Sequence, residues 1–167
     1  MARSFNTWRR TGTTVPRVQG MVVKTGETFK KGAPVVIDTN GLLVECAAGA
    51  TAVSGVAMQG AFTGPGYDLS DSSRTNALVQ GASAKVSVAL ADREQEFSAA
   101  GFNTAGATQQ TPAQTNIGEQ YGIAKDANGN WYIDFDNVTD LCVQITDVFI
   151  DSKIFAFKFL ESVLVSP

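Results

Sequence analysis

The chain has 167 residues, 44% of them hydrophobic and only 17% charged, with 16 glycines and 16 threonines. That length fits one domain, or a domain with an arm, and the composition leans towards β structure with many turns. Histidine is absent, which excludes Ser-His-Asp and Cys-His catalysis, histidine general bases and histidine metal ligands.

The formal charge of −3 conceals a polarity. Residues 1–31 carry Arg3, Arg9, Arg10, Arg17, Lys24, Lys30 and Lys31 against Glu27 alone, a net +6, while residues 32–167 carry six basic and fifteen acidic groups, a net −9. A basic segment on an acidic body is expected to meet an acidic surface: a copy of the same chain, another protein, or nucleic acid. A dedicated nucleic-acid binder also shows a basic body face, so no direct nucleic-acid binding is expected.

Residues 1–19 show no clean period and read as an extended basic N-terminal arm that orders by docking. Within it Trp8 stands beside Arg9 and Arg10, an anchor composition at interfaces; the alternative is a tail whose Trp8 touches its own domain. Deleting residues 1–19 is then expected to weaken binding and leave the β spectrum intact. Met1–Arg10 lacks an apolar core, so no secretory leader is expected. The body, residues 20–167, reads as short strands. Gly20–Lys24, a turn at Thr25-Gly26-Glu27, Thr28–Lys30, a Lys31-Gly32 turn and Ala33–Asp38 follow in order. Asn40-Gly41 signals a hairpin with a type I′ turn, returning through Leu42–Cys46. In the next strand, Thr51–Met58, Gly55 marks a bulge or close packing.

Residues 60–76 form a long Gly/Ser/Asp loop, and strands resume at Ala77–Val79 and Ala84–Leu90. Glu94–Ser98 fits a further strand, although Asp92–Ala99 is also the best helix candidate in the chain. Residues 99–118 read as a second long loop. Gln120–Lys125 leads into a second Asn-Gly turn, at Asp126–Asn130. In the returning strand, alternation puts Trp131, Ile133 and Phe135 on one face and Tyr132, Asp134 and Asp136 on the other. Leu141–Ile145, Val148–Ile150 and Lys153–Val165 complete the set, with Phe155, Phe157 and Phe159 at strand spacing. The most apolar stretch, Val148–Val165, is broken by Asp151, Lys153, Lys158 and Glu161, so no membrane span is expected. The fold class is all-β: a small antiparallel β-barrel or sandwich with an extended arm and two long loops.

No constellation predicts catalysis, a cofactor or a metal. Cys46 and Cys142 sit in apolar runs and read as buried free thiols; two cysteines without histidine cannot close a zinc site. Asp126–Asn130 resembles part of a calcium loop but has Asn137 where the bidentate glutamate belongs, and a hairpin turn accounts for it. Gly60–Gly66 lacks the Lys-Ser/Thr ending of a phosphate loop. The signatures of trimeric all-β dUTP hydrolases are missing, so an enzyme is not expected.

One rhythm points further. Residues 24–57 run as a turn, Phe29-Lys30-Lys31-Gly32-Ala33-Pro34-Val35, Asn40-Gly41-Leu42-Leu43, a small-residue loop, and Val53-Ser54-Gly55-Val56-Ala57. The stretch resembles the capsid cement, or head decoration, proteins of tailed bacteriophages, and Tyr121–Asp134 looks like the second hairpin of that group. The resemblance implies a β-barrel-like virion structural protein, made in the host cytoplasm and bound to the capsid exterior. Its partners would be the major capsid protein and copies of itself in small oligomers such as trimers, with no membrane involved. The interface residues expected on this view are Arg3, Phe5, Trp8, Arg9, Arg10, Arg17, Lys24, Lys30 and Lys31. The alternative is a glycan- or receptor-binding β module of a head fibre or tail, presenting Tyr67 and Phe102 from its long loops.

Overall fold

A computed structural model describes residues 5–10, 16–61, 85–103 and 107–165. The described strands are β1 (Asn6–Arg10), β2 (Val18–Val22), β3 (Pro34–Ile37), β4 (Leu43–Glu45), β5 (Gly55–Ala57), β6 (Lys85–Leu90) and β7 (Gln95–Ala99). The remainder are β8 (Gly101–Asn103), β9 (Thr108–Gln109), β10 (Gln120–Lys125), β11 (Trp131–Asp134), β12 (Val143–Phe149) and β13 (Ile154–Phe159). The only helical elements among the described residues are two 3-10 turns, Gln114–Asn116 and Glu161–Val163. No helix among the described residues is long and apolar enough to cross a membrane.

The strands make two sheets. One has eight strands in the order β1-β7-β13-β12-β10-β11-β8-β9, and the other five in the order β2-β6-β5-β3-β4. All strand pairs are antiparallel except β11 with β8. Only Ala100 separates β7 from β8, yet they occupy the second and seventh positions of the larger sheet. That sheet therefore curls back towards itself. The edge strands of the smaller sheet touch at one bridge, Val23 with Leu43 just beyond β2, and are otherwise unpaired with each other, so the architecture is a two-sheet sandwich and not one closed barrel. A single apolar core joins the sheets, with Phe29, Val35, Leu43, Val56 and Val88 from one side and Phe97, Ile133, Ile145, Phe155 and Phe157 from the other. The alternation expected for residues 131–135 holds: Trp131 and Ile133 enter this core and Phe135 packs on it, whereas Tyr132 joins a separate cluster with Ala100 and Phe102.

Four local expectations change. The segment Asp92–Ala99 is not helical: the Asp92 carboxylate accepts the amides of Glu94 and Gln95, both at 2.9 Å, and the chain then runs extended as β7. Residues 99–118 are not one loop, because β8 and β9 lie inside them and β8 is buried against β11. Neither Asn-Gly hairpin is type I′. A type I′ turn needs positive φ at both central residues, and Lys153 is the one non-glycine with positive φ among the described residues. Instead Gly41 (φ 76°) and Gly129 (φ 79°) each end a three-residue loop. Asp38 Oδ1 accepts the amides of Asn40 and Leu42 at 2.8 and 3.0 Å, and Asp126 Oδ1 accepts those of Asn128 and Asn130, both at 2.9 Å. The carboxylate that prompted the calcium comparison is thus engaged by its own turn.

The fourth change concerns the N terminus. Residues 5–10 are not a free extension, since Phe5 is 1% exposed and β1 pairs with β7. Phe5 sets its ring edge-on to Phe157, with centroids 5.1 Å apart, so the first described residue of the expected arm belongs to the core. Residues 62–84, which include most of the loop 60–76 and the strand expected at 77–79, lie outside the described residues.

Cys46 and Cys142 are free and buried, and burial pushes each thiol up to about 12. Both stay neutral in the fold. Their contribution to stability is complete below the ordinary thiol value of 9.0 and is lost as pH rises from there towards 12, because the unfolded chain ionises first. Between about pH 8 and pH 11 the wild type is expected to lose more stability than a Cys46→Ala/Cys142→Ala variant. The difference is on the order of 2–3 kcal/mol per thiol. Urea denaturation at the two pH values measures it; parallel losses in the two proteins would show that the thiols do not contribute.

Candidate interaction surface

The outer face of the larger sheet is organised by an irregularity in β1. Asn6 pairs with Ser98 and Thr7 with Phe97, but Arg10, not Arg9, pairs with Gln95. Trp8 and Arg9 therefore stand together opposite Glu96, a bulge that turns both side chains away from regular alternation. Phe97 and its register partner Phe157 point into the core. Their neighbours Glu96, Ser98, Ala156 and Lys158 accordingly lie on the opposite face of the sheet, where Glu96, Ser98 and Ala156 are themselves buried.

On that face Trp8 leans on Phe149, with ring centroids 4.6 Å apart. Trp8 remains 46% exposed and Ile150, next to Phe149, 51%. A cluster of charge borders this apolar patch. The Glu96 side chain is only 6% exposed and takes a close ion pair from Arg9 Nε, with Lys158 Nζ at 3.9 Å from its other oxygen. Arg9 also reaches Asp147 at 3.9 Å. Beneath it, the Gln95 amide donates to the carbonyls of Arg9 and Glu96, at 3.2 and 2.7 Å, tying the bulge to β7. Two basic groups against one deeply seated carboxylate satisfy the cost of burying that charge.

The structure separates the residues that the sequence had grouped as an interface. Phe5 is core and not surface. Trp8 touches its own domain yet keeps an exposed face. Arg9 meets Glu96 and Asp147, Arg17 lies 4.0 Å from Asp92, and Lys24 lies 3.5 Å from Asp38. Lys30 donates to Asn130 Oδ1 at 3.3 Å, and Lys31 is exposed. Arg3 and the Arg10 side chain lie outside the described residues. For Arg9, Arg17 and Lys24, then, the acidic surface that meets the basic segment is the chain's own body. Asp38 is held below the usual carboxylate range chiefly by the Leu42 amide, helped by the Asn40 amide and Lys24 against partial desolvation.

Sequence reasoning missed Glu96, Asp147, Phe149, Lys158 and Ile150. They gather around Trp8 only because β12 and β13 pair with each other and β13 with β7, contacts that no local pattern reveals. A second feature is a cleft of about 410 Å³ lined by Thr28, Lys30, Glu45, Lys125 and Gly129. There Glu45 accepts from Lys125 Nζ at 2.7 Å and from Trp131 Nε1 at 2.8 Å. Both Glu45 oxygens are thus engaged, and Trp131 is 1% exposed, so it offers no stacking platform. Phe102 is buried against Tyr132, with centroids 5.6 Å apart, and is not a loop aromatic free to hold a glycan; Tyr67 lies outside the described residues. Comparison of the chain with family models, curated proteins and solved structures finds no match.

Proposed function

We propose that this chain is a structural protein of a tailed-phage virion, a cement protein that binds the outer surface of the capsid and bridges major capsid protein subunits. The observation that supports this reading best is that each element of the resembling rhythm over residues 24–57 has a job in one compact unit. Phe29 is buried, and Gly32 (φ 83°) makes the turn that sends its amide to Ala57 O at 2.8 Å. Pro34 opens β3, Asn40-Gly41 closes its hairpin with β4, and Gly55 lets β5 approach β6. Such a stiff, weakly charged body suits packing against many copies, where small repeated contacts add through multivalency.

On this reading the contact is the Trp8–Phe149–Ile150 patch, with Trp8 as its anchor and the exposed, paired charges of Arg9 and Asp147 as its rim. Purified protein is expected to bind expanded capsids that lack it, and mass spectrometry is expected to find it in virions. Trp8→Ala should weaken capsid binding about thirtyfold, the loss typical of a hot-spot aromatic, with an unchanged circular dichroism spectrum. Failure of the wild type to bind such capsids would overturn the function. Wild-type affinity in the Trp8→Ala variant would move the contact elsewhere.

A further inference from the structure

We infer that the exposed edge of β2 is an interface with a second copy of this chain, formed by antiparallel pairing about a two-fold axis at Gln19. The inference starts from how the sheet edges are guarded. Soluble proteins blunt edges with bulges, charges, prolines or very short strands. Among the described edge strands, β1 carries a bulge and arginines, β9 has two residues, and β4 has three and ends on Glu45. β2 has none of these devices. It runs five residues, Val-Gln-Gly-Met-Val, uncharged and in unbroken register with β6.

Its burial is unusual as well. Val18, Gln19 and Gly20 are all exposed, Val18 by 52%, so both faces of the strand lie open where their register partners Ala89 and Val88 are fully buried. The direction of the free backbone groups follows from two hydrogen bonds. Leu90 N donates to Arg17 O at 2.8 Å, which turns the odd-numbered residues towards β6. Lys24 N, on the other side, donates to Leu43 O at 3.0 Å. Alternation then leaves Val18 and Gly20 directing their N–H and C=O groups outwards.

A second copy fits this edge better than a foreign strand of arbitrary charge. A two-fold axis at Gln19 sets Val18 opposite Gly20 of the other copy and the reverse, closing four main-chain hydrogen bonds. The exposed Val18 side chain then lies over the residue that has none. Pro16, without an N–H, ends the ladder on one side, and the Lys24–Leu43 bond to β4 ends it on the other. The flanking cations do not oppose the approach, since Arg17 is matched by Asp92 and Lys24 by Asp38. This pairing needs no capsid and stands whether or not the proposed function does.

The test is self-association of the purified full chain by analytical ultracentrifugation. A species of twice the 17.6 kDa chain mass is expected. Val18→Lys, at an exposed position, should weaken the dimer by about tenfold or more with an unchanged melting temperature for the monomer. Gln19→Cys should form an intermolecular disulfide on mild oxidation, because directly opposed residues of a non-hydrogen-bonded pair have Cα atoms about 4.5 Å apart. Val138→Cys, 64% exposed but remote in the fold, should not do so faster than chance collision allows. A wild type that stays monomeric, a dimer that survives Val18→Lys, or a Gln19→Cys variant that cross-links no better than Val138→Cys would each overturn the inference.

Discussion

Gly55→Ala is expected to be the most damaging glycine-to-alanine change among the described residues, costing about 3–5 kcal/mol. A Cβ at that position would fall on Ala89 O and lie 2.6 Å from Val88 Cγ1. Two effects compete. Alanine restricts the unfolded chain and in an open strand would gain about 0.5–1 kcal/mol. Here the obstacle is backbone, and Gly55 sits in the register of β5 with both Leu90 of β6 and Val35 of β3. Relieving the clash means moving a central strand of the smaller sheet away from a partner, so overpacking wins. Gly101→Ala makes the useful comparison. Its Cβ would fall on Phe135 Cε2 and lie 2.9 Å from Phe155 Cε2, but Phe135 is only partly buried and its ring can swing. A loss of about 1–3 kcal/mol is expected there. Urea denaturation of the two variants checks the order, and a Gly55→Ala protein as stable as the wild type would refute the close approach of β5 and β6.

What could be read in the sequence was local and periodic. The close packing at Gly55, the hairpins at the two Asn-Gly pairs and the two faces of Trp131–Phe135 all follow from rules spanning a few residues, and all are present. The type I′ turn expected at Asn40-Gly41 does not form: Asn-Gly dominates the signal, but the decisive group is Asp38, two residues before the asparagine, whose carboxylate holds the loop open by one residue, as that of Asp126 does in the second Asn-Gly turn. Asp92 misled in a similar way. A carboxylate accepting amides two and three residues on is also how a helix begins, and only the partners of β7, strands β1 and β13, decide for extension. β8 was hidden because its main partner, β11, is parallel and thirty residues away. The charge polarity was legible as composition. Its resolution was not, since pairing Arg9 with Glu96 and Asp147 requires three strands distant in sequence to share one face.

The same tertiary arrangement changes what a deletion of the N terminus would mean. Were residues 1–19 a free arm, their removal would leave the melting temperature alone. Phe5 forbids that outcome. Its ring is 1% exposed, edge-on to Phe157 and 6.4 Å from Phe159, and its amide donates to Gly32 O at 3.3 Å, across to the loop before β3. Phe5→Ala is expected to cost about 3–5 kcal/mol through lost burial and the cavity left among the aromatic rings. For a domain of this size that lowers the melting temperature by about 10 °C. Removing residues 1–10 goes further, because it also strips β1 from β7 and bares the edge Gln95–Ala99, a run with one charge and a central Phe97. That edge is a template for aggregation, so the truncated protein should melt earlier than Phe5→Ala and precipitate as it does. On the proposed function, a loss of capsid binding on such a truncation would therefore report unfolding as much as a missing contact, whereas Trp8→Ala touches the exposed patch and spares the core. Thermal scans by circular dichroism separate the two descriptions of the N terminus: a Phe5→Ala melt that superimposes on the wild type would return residues 5–10 to the status of a free arm.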